Sequence, residues 1–228
     1  MVAAMTKPPS PRPLPAREIK RIGAIFDRFA AATPEPRTEL AHASPFTLLV
    51  AVVLSAQATD VSVNKATAAL YKIADTPAEM LALGEAGLTP YIASIGLFRT
   101  KARNVIALSR LVLERHAGEV PLNREALQAL PGVGRKTASV VLNELGAEAA
   151  IAVDTHVFRV AHRLGLSRGK TPEQVEADLM RVVPKARRTR AHHWLILHGR
   201  YVCLARKPRC ADCLVADLCP SRELFMGG

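Results

Sequence analysis

All four cysteines of this 228-residue chain fall between Cys203 and Cys219, spaced Cys203-x6-Cys210-x2-Cys213-x5-Cys219. A disulfide framework usually scatters its cysteines along the chain. Four thiols gathered in one short segment instead imply one metal site, which ties the C-terminal end into a fixed loop. Spacing alone leaves zinc and a [4Fe–4S] cluster open. No histidine lies inside the segment to suggest mixed ligation, and His192, His193 and His198 just before it read as ordinary core, cap or surface residues. Between the first two cysteines stand Arg206, Lys207 and Arg209. On their own they are a solvated basic loop; pinned at both ends by a metal, that loop would present its cations rigidly to phosphates.

The remainder reads as helix after helix. Ile19, Ile22, Phe26 and Phe29 recur at helical spacing in the first. After a proline-rich loop, the run Phe46 to Leu54 is the longest apolar stretch. It is far short of the roughly 20 residues that span a bilayer, so it reads as a buried core helix ending near Ser55. Asp60 reads as the cap of the next. Thr76 and Glu79 form a capping box with Pro77 at the first helical position, and Gly84, Gly87 and Gly96 punctuate short helices. A longer helix is expected from about Lys101 to His116, stopping at Gly118. Asn123 then caps a short one through Leu127 and Leu130. Further on, Val157, Val160, Ala161 and Leu164 make an amphipathic face, and Thr171 and Gln174 a second capping box around Pro172. Trp194, Leu197, His198 and Tyr201 share a face of the helix that leads into the cysteines. Ala150 to Val153 is too short to build a sheet, so the fold class is all-α.

The densest chemical signal is Leu130-Pro131-Gly132-Val133-Gly134-Arg135-Lys136-Thr137-Ala138. A P-loop needs glycine directly before its lysine, where Arg135 stands, and a dinucleotide fingerprint needs glycine at Thr137. With helices on both sides, the segment fits a helix-hairpin-helix that grips DNA backbone without reading sequence. Gly132 and Gly134 permit positive φ and close approach. Free N–H groups at the start of the second helix then face a phosphate, with Arg135 beside them. Lys136 sits in that first turn, where the helix dipole is unfavourable to a cation. A phosphate-binding lysine and a nucleophile are both open. Dipole, Arg135 and partial burial would all disfavour the ammonium form, and a neutral amine can attack a sugar carbon to give a Schiff base.

Asp154 follows the apolar Ala150 to Val153 and precedes an amphipathic helix, so by itself it reads as an N-cap. A capped carboxylate is also a fixed one, able to stabilise positive charge on a sugar or to move protons. Lys and Arg total 31 against 20 Asp and Glu, a net charge of +11, which favours a polyanionic partner. Residues 1–16 are proline-rich without an apolar signal region, and are expected to be a disordered tail on a soluble, intracellular protein.

Together these residues resemble the endonuclease III family. The likeness runs from about residue 17 to 225 and includes Leu54-Ser55-Ala56-Gln57-Ala58-Thr59-Asp60, the glycine hairpin, Val153-Asp154-Thr155-His156, and His193-Trp194-Leu195-Ile196-Leu197-His198-Gly199-Arg200-Tyr201. The resemblance implies a bifunctional DNA glycosylase and abasic-site lyase of base excision repair. Its nucleophile falls on Lys136 and its catalytic aspartate on Asp154. It implies a [4Fe–4S] cluster on Cys203, Cys210, Cys213 and Cys219. Gln57 would fill the gap left by an everted nucleotide and Leu97 would wedge into the stack, although beside Gly96 Leu97 alone reads as a core leucine. Implied too are a six-helix domain over residues 37–150 holding the hairpin, and a second domain. The second joins an N-terminal helix at 17–36 to C-terminal helices and the cluster at 151–228, with DNA in the groove between. Partners would be duplex DNA with damaged pyrimidines or abasic sites, met by a monomer in a bacterial cytoplasm, at the nucleoid. The related adenine-mismatch glycosylases lack the lysine, which this chain keeps. Departures are Ser139, the segment from Glu144 to Ala149, and the tail. Two rival readings are a monofunctional glycosylase in which Asp154 activates water, and a non-catalytic DNA-binding module; the intact Lys136/Asp154 pair argues against both.

Overall fold

Short-range capping sets most helix starts. In the computed structural model, which describes residues 14–226, α1 spans Ala16–Ala32, α2 Pro45–Leu54, α3 Asp60–Leu70 and α4 Pro77–Ile92. There follow α5 Phe98–His116, α6 Arg124–Gln128, α7 Arg135–Glu144, α8 Thr155–Arg163, α9 Pro172–Val182, α10 Arg188–Tyr201 and the short α11 Glu223–Met226. No strand occurs among the described residues. Residues 1–13 of the expected tail lie outside the described residues, and Ala16 already belongs to α1. Ser44 and Thr47 cap α2 reciprocally, and Thr76 and Glu79 do the same for α4. Asn123 caps α6 through Ala126 N–H at 2.8 Å.

Several boundaries differ from the sequence expectation, each for a local reason. Thr59, not Asp60, caps α3, accepting the N–H of Ser62 at 3.2 Å. Asp60 is thereby freed to meet Arg200 at 2.5 Å. α5 starts at Phe98, three positions before Lys101, because Leu97 takes a left-handed backbone and serves as its N-cap. Gln174 does not close a box with Thr171: its Oε1 accepts from the N–H of Lys170 at 2.7 Å. Gly84, at φ 66, kinks α4 within its length. Ile19 is exposed, since α1 turns only Ile22, Ile25, Phe26 and Phe29 inward. On α10 the expected face splits: Trp194 and His198 are buried, Leu197 lines a cleft, and Tyr201 is exposed.

The buried apolar side chains form two clusters. One draws on Leu40 to Leu142, with every residue of α2 from Phe46 to Leu54 except the buried Thr47 inside it. Such a helix, apolar on all faces, has no stable position except surrounded by others. The other joins Ile22, Ile25, Phe26 and Phe29 of α1 to residues from Ile151 to Val215. The first helix thus crosses to pack with the last ones. Phe26 lies 6.1 Å from Phe29 and 6.3 Å from Trp194 between ring centres, and the indole N–H of Trp194 donates to Thr33 O at 2.8 Å. No helix is long and apolar enough to cross a membrane among the described residues.

Phe26 is fully buried between the chain ends. Phe26→Ala should therefore cost about 3–5 kcal/mol, the range for removing a buried ring. Urea unfolding of the metal-loaded protein checks this. A loss under about 1 kcal/mol would mean that α1 is not integral to the second cluster.

Candidate active cleft and cysteine pocket

The hairpin between α6 and α7 is anchored by Leu130 and Val133, both buried. Gly132 takes φ 81, and a Cβ there would lie 3.0 Å from Cβ and Nδ2 of Asn104, so both conformation and space require glycine. Gly134 differs from expectation. Its φ is −83, in extended territory, and nothing crowds it. As the N-cap of α7 it brings no side-chain acceptor, which leaves the first-turn N–H groups uncovered. Lys136 is exposed on that turn and lines a solvent-open cleft of about 390 Å³. Arg135, expected beside the phosphate and the lysine, swings out to Glu176 on α9 instead, at 2.9 Å. Its charge is thus partly answered within the protein, and that carboxylate holds the guanidinium above its ordinary value.

Asp154 lines the same cleft. Its Oδ1 accepts the N–H of Val157 at 2.7 Å, so it caps α8 and is fixed by doing so. Beneath the pair lies His192, fully enclosed, with Nδ1 3.0 Å from Ala152 O. Burial, and next the neighbouring His193, lower His192 to about 4, with the charge on Lys136 acting the same way and that on Asp154 opposing it. His193 lines the cleft too, and its Nε2 stands 2.9 Å from Glu144 Oε2 at the end of α7. Burial pushes the Glu144 carboxyl up, but His193 outweighs it and holds the group below its usual range. Asn143 Nδ2 donates to Thr189 O at 2.9 Å. The helix that carries Lys136 is thereby pinned at its far end to α10, which packs on the helix that Asp154 caps.

Gln57 sits at φ 56 in the turn after α2 and faces the cleft; Leu97 sits at φ 61 and is 62% exposed. With Ala117 they are the non-glycine residues of left-handed backbone among those described. Such strain costs on the order of 1–3 kcal/mol and persists where its surroundings hold it. Leu97 is therefore no core leucine. At the cleft rim Arg200 meets both Asp60 and Glu39, and Tyr201 Oη donates to Glu39 at 2.5 Å, tying α10 to the loop and helix across from it.

The four cysteines line one shared pocket with Arg163, His198 and Phe225. Burial first, and then the neighbouring thiols, push Cys213 and Cys219 up. Thiolates crowded in this way call for bound positive charge. Four sulfurs lining one pocket are the donor set that a [4Fe–4S] cluster takes. His198 Nε2 lies 3.7 Å from Cys213 Sγ, a neighbour rather than a ligand; burial lowers this imidazole to about 4. Arg206 and Lys207 are exposed, while Arg209 pairs with Asp212 at 3.0 Å.

α8 joins the two sites. From its middle, Arg159 donates to Cys203 O at 3.0 Å and to Gly199 O at 2.8 Å. From its end, Arg163 donates to Leu204 O at 2.6 Å and Ala205 O at 2.7 Å, lies 3.5 Å from Cys203 Sγ, and stacks on Phe225 at 4.4 Å. Sequence reasoning passed over both arginines. Their spacing of four, on one helical face, was the available signal. His156 carries no role in the sequence reading, and His192 and His193 read there as ordinary core, cap or surface residues; periodicity carries no mark of their cleft-facing position.

Two measurements follow. Asp154→Ala should lose about 0.5–2 kcal/mol of stability through the missing cap, while Asp154→Asn, an equally good cap, should lose far less; thermal unfolding of both variants separates capping from charge. For His192, the unfolded chain takes up a proton near 6.5 and the folded chain only near 4. Stability contributed by this group is whole above the upper value and falls as pH drops through that window, by at most on the order of 3 kcal/mol. Urea midpoints at several pH values should show the decline, and His192→Gln should flatten it.

Residues 50–185 match the family model of the HhH-GPD superfamily of base excision DNA repair proteins, and residues 203–219 match the iron–sulfur binding domain of endonuclease III. The chain is 58% identical over 199 residues to endonuclease III of Escherichia coli K12, covering 87% of this chain and 94% of that one. It is likewise 58% identical over 200 residues to endonuclease III of Treponema pallidum, covering 88% and 95%. Among solved structures, a trapped endonuclease III–DNA covalent intermediate superposes with a TM-score of 0.84 at 44% identity, covering 91% of this chain and 98% of that one. The first family match spans the glycine hairpin, Lys136 and Asp154, and the second spans the four cysteines: the chain belongs to the endonuclease III family of base excision repair DNA glycosylase/AP lyases, which carry a [4Fe–4S] cluster.

Proposed function

We propose that the chain removes oxidised pyrimidines from duplex DNA through a Schiff base on Lys136. It then cleaves the strand 3′ to the abasic site by β-elimination. The observation that carries this reading is the meeting of Lys136 and Asp154 in one cleft, from helices that belong to two different apolar clusters. We read those clusters as two domains with DNA lying across the groove between them. The everted nucleotide enters the cleft, unstacking costing least at a damaged pair. Nζ of Lys136, as the free amine, forms a bond to C1′ while the base departs. Asp154, held by its cap, stabilises the positive charge on the sugar and accepts the proton released from the amine. The C1′–O4′ bond then opens, O4′ taking a proton as nitrogen's electron pair forms the C=N bond; the resulting Schiff base makes a 2′ hydrogen acidic, and its removal expels the 3′ phosphate.

Gln57 and Leu97, strained and exposed, support a role in filling and wedging the vacated stack. The uncovered N–H groups after Gly132 and Gly134 suit a backbone phosphate, with Arg135 able to leave Glu176 for it. Arg206, Lys207 and Arg209 belong to the same DNA-facing surface. Cys203, Cys210, Cys213 and Cys219 would hold the cluster, which supplies a rigid core for that loop and for the end of α8. We place the protein as a monomer in the bacterial cytoplasm, acting on chromosomal DNA.

A relative has been described as a trapped covalent intermediate with DNA. Borohydride reduction during turnover should likewise link this protein to an abasic duplex through Lys136, giving a species of retarded mobility on denaturing gels. Lys136→Gln should abolish the adduct. Equal trapping of the variant would remove the lysine from its role, and base release without any nicking by the unaltered protein would favour water activated by Asp154.

A further inference from the structure

His156 follows Asp154 by two residues, lies in the first turn of α8, and lines the cleft. Its Nδ1 is 3.3 Å from Nη2 of Arg159. A guanidinium has donors only. Nδ1 must therefore accept, which leaves Nε2 to carry the ring's hydrogen. Arg159 cannot easily turn away from this task, because the same side chain is held by the carbonyls of Cys203 and Gly199. The other face of His156 is set by Gly199: a Cβ at that position would fall 2.8 Å from the Cβ of His156. α10 thus lies directly against the backbone end of this residue. No protein partner meets Nε2 of His156 among the described residues.

The cleft therefore presents an oriented N–H donor beside the capped carboxylate, at the positive end of a helix. Its use follows from the chemistry of the departing group. When the bond from C1′ to N1 of a pyrimidine breaks, its electron pair passes to N1 and spreads onto the conjugated O2. Oxidation or saturation at C5 and C6 leaves that N1–C2=O2 unit in place. A donor aimed at O2 addresses what these lesions share and is indifferent to how each ring was damaged.

We propose that His156 is a catalytic residue of the excision step, donating its Nε2 hydrogen bond to O2 of the departing pyrimidine. The proton stays on the imidazole; the bond lowers the energy of negative charge as it builds on the base, in the manner of an oxyanion-hole donor. This rests on the glycosylase reading above. It assigns His156 to base release and gives it no part in the elimination, where no base remains.

The test is the ratio of two single-turnover rates on cluster-loaded protein. One is base release from a duplex with a single dihydropyrimidine; the other is nicking of a duplex with a preformed abasic site. His156→Ala should lower base release on the order of 10²-fold, the scale for one lost donor, and nicking far less. His156→Gln, whose amide N–H can reach the same place, should recover part of the loss. Replacing O2 of the lesion by sulfur, a weaker acceptor, should narrow the gap between unaltered protein and the alanine variant. Visible absorbance of the cluster reports whether each variant is folded. Equal losses in both rates, in alanine and glutamine variants alike, would show His156 merely supporting α8 and overturn the proposal. So would base release that is unchanged in the alanine variant. Should the unaltered protein release no base but still nick the abasic duplex, the glycosylase reading itself fails, and the assignment with it.

Discussion

The bond from the Val157 N–H to the Asp154 carboxylate decides where α8 begins, and much of the molecule is arranged about that point. One oxygen is committed to the cap, so the carboxylate cannot rotate freely, and its position in the cleft is inherited from the helix. The helix in turn is held along its length. Gly199 lets α10 lie against its first turns, Arg159 ties its middle to the first cysteine's carbonyl, and Arg163 ties its end to the loop beyond. Nine residues at 1.5 Å each make a bar of roughly 13 Å. A group that caps one end is thus placed relative to thiols near the other with little slack.

Lys136 is placed by a different device. The hairpin closes on Asn104 through a glycine that could hold no side chain, and α7 is pinned at its far end by Asn143 and Glu144 to α10. Both halves of the candidate pair are therefore referred to α10, one through packing and one through polar contacts. Oε2 of Glu144 stands 2.9 Å from His193 Nε2 without the alignment of a hydrogen bond. A buried pair of this sort is weak as a source of stability and stronger as a source of register.

The helices were largely legible because their signals are local. A capping box, a proline at N1, and an apolar run too dense for a surface are decided within a few residues. So was the thiol spacing. What sequence could not show are contacts whose partners lie far away. Arg135 is a plausible phosphate ligand until Glu176, 41 positions on, is seen to hold it. Asp60 reads as a cap until Arg200, 140 positions on, claims it and leaves the cap to Thr59. Leu97 is a core leucine by composition and a projecting one by backbone. Its left-handed φ sits on a residue type that rarely accepts it. His156 was quoted as part of a motif yet given no role, because the arginine that fixes its tautomer matters only once both are on one helical turn.

The surplus of cations invites a simple picture of a protein drawn to DNA by bulk charge. The arginines contradict it. Arg21 spends its guanidinium on the carbonyls of Leu164 and Leu218, Arg159 and Arg163 spend theirs on the loop of the first cysteine, and Arg28, Arg187 and Arg200 face carboxylates. Counterion release counts phosphates neutralised, not basic residues encoded. Affinity for the duplex should accordingly fade with rising salt less steeply than the formal charge suggests.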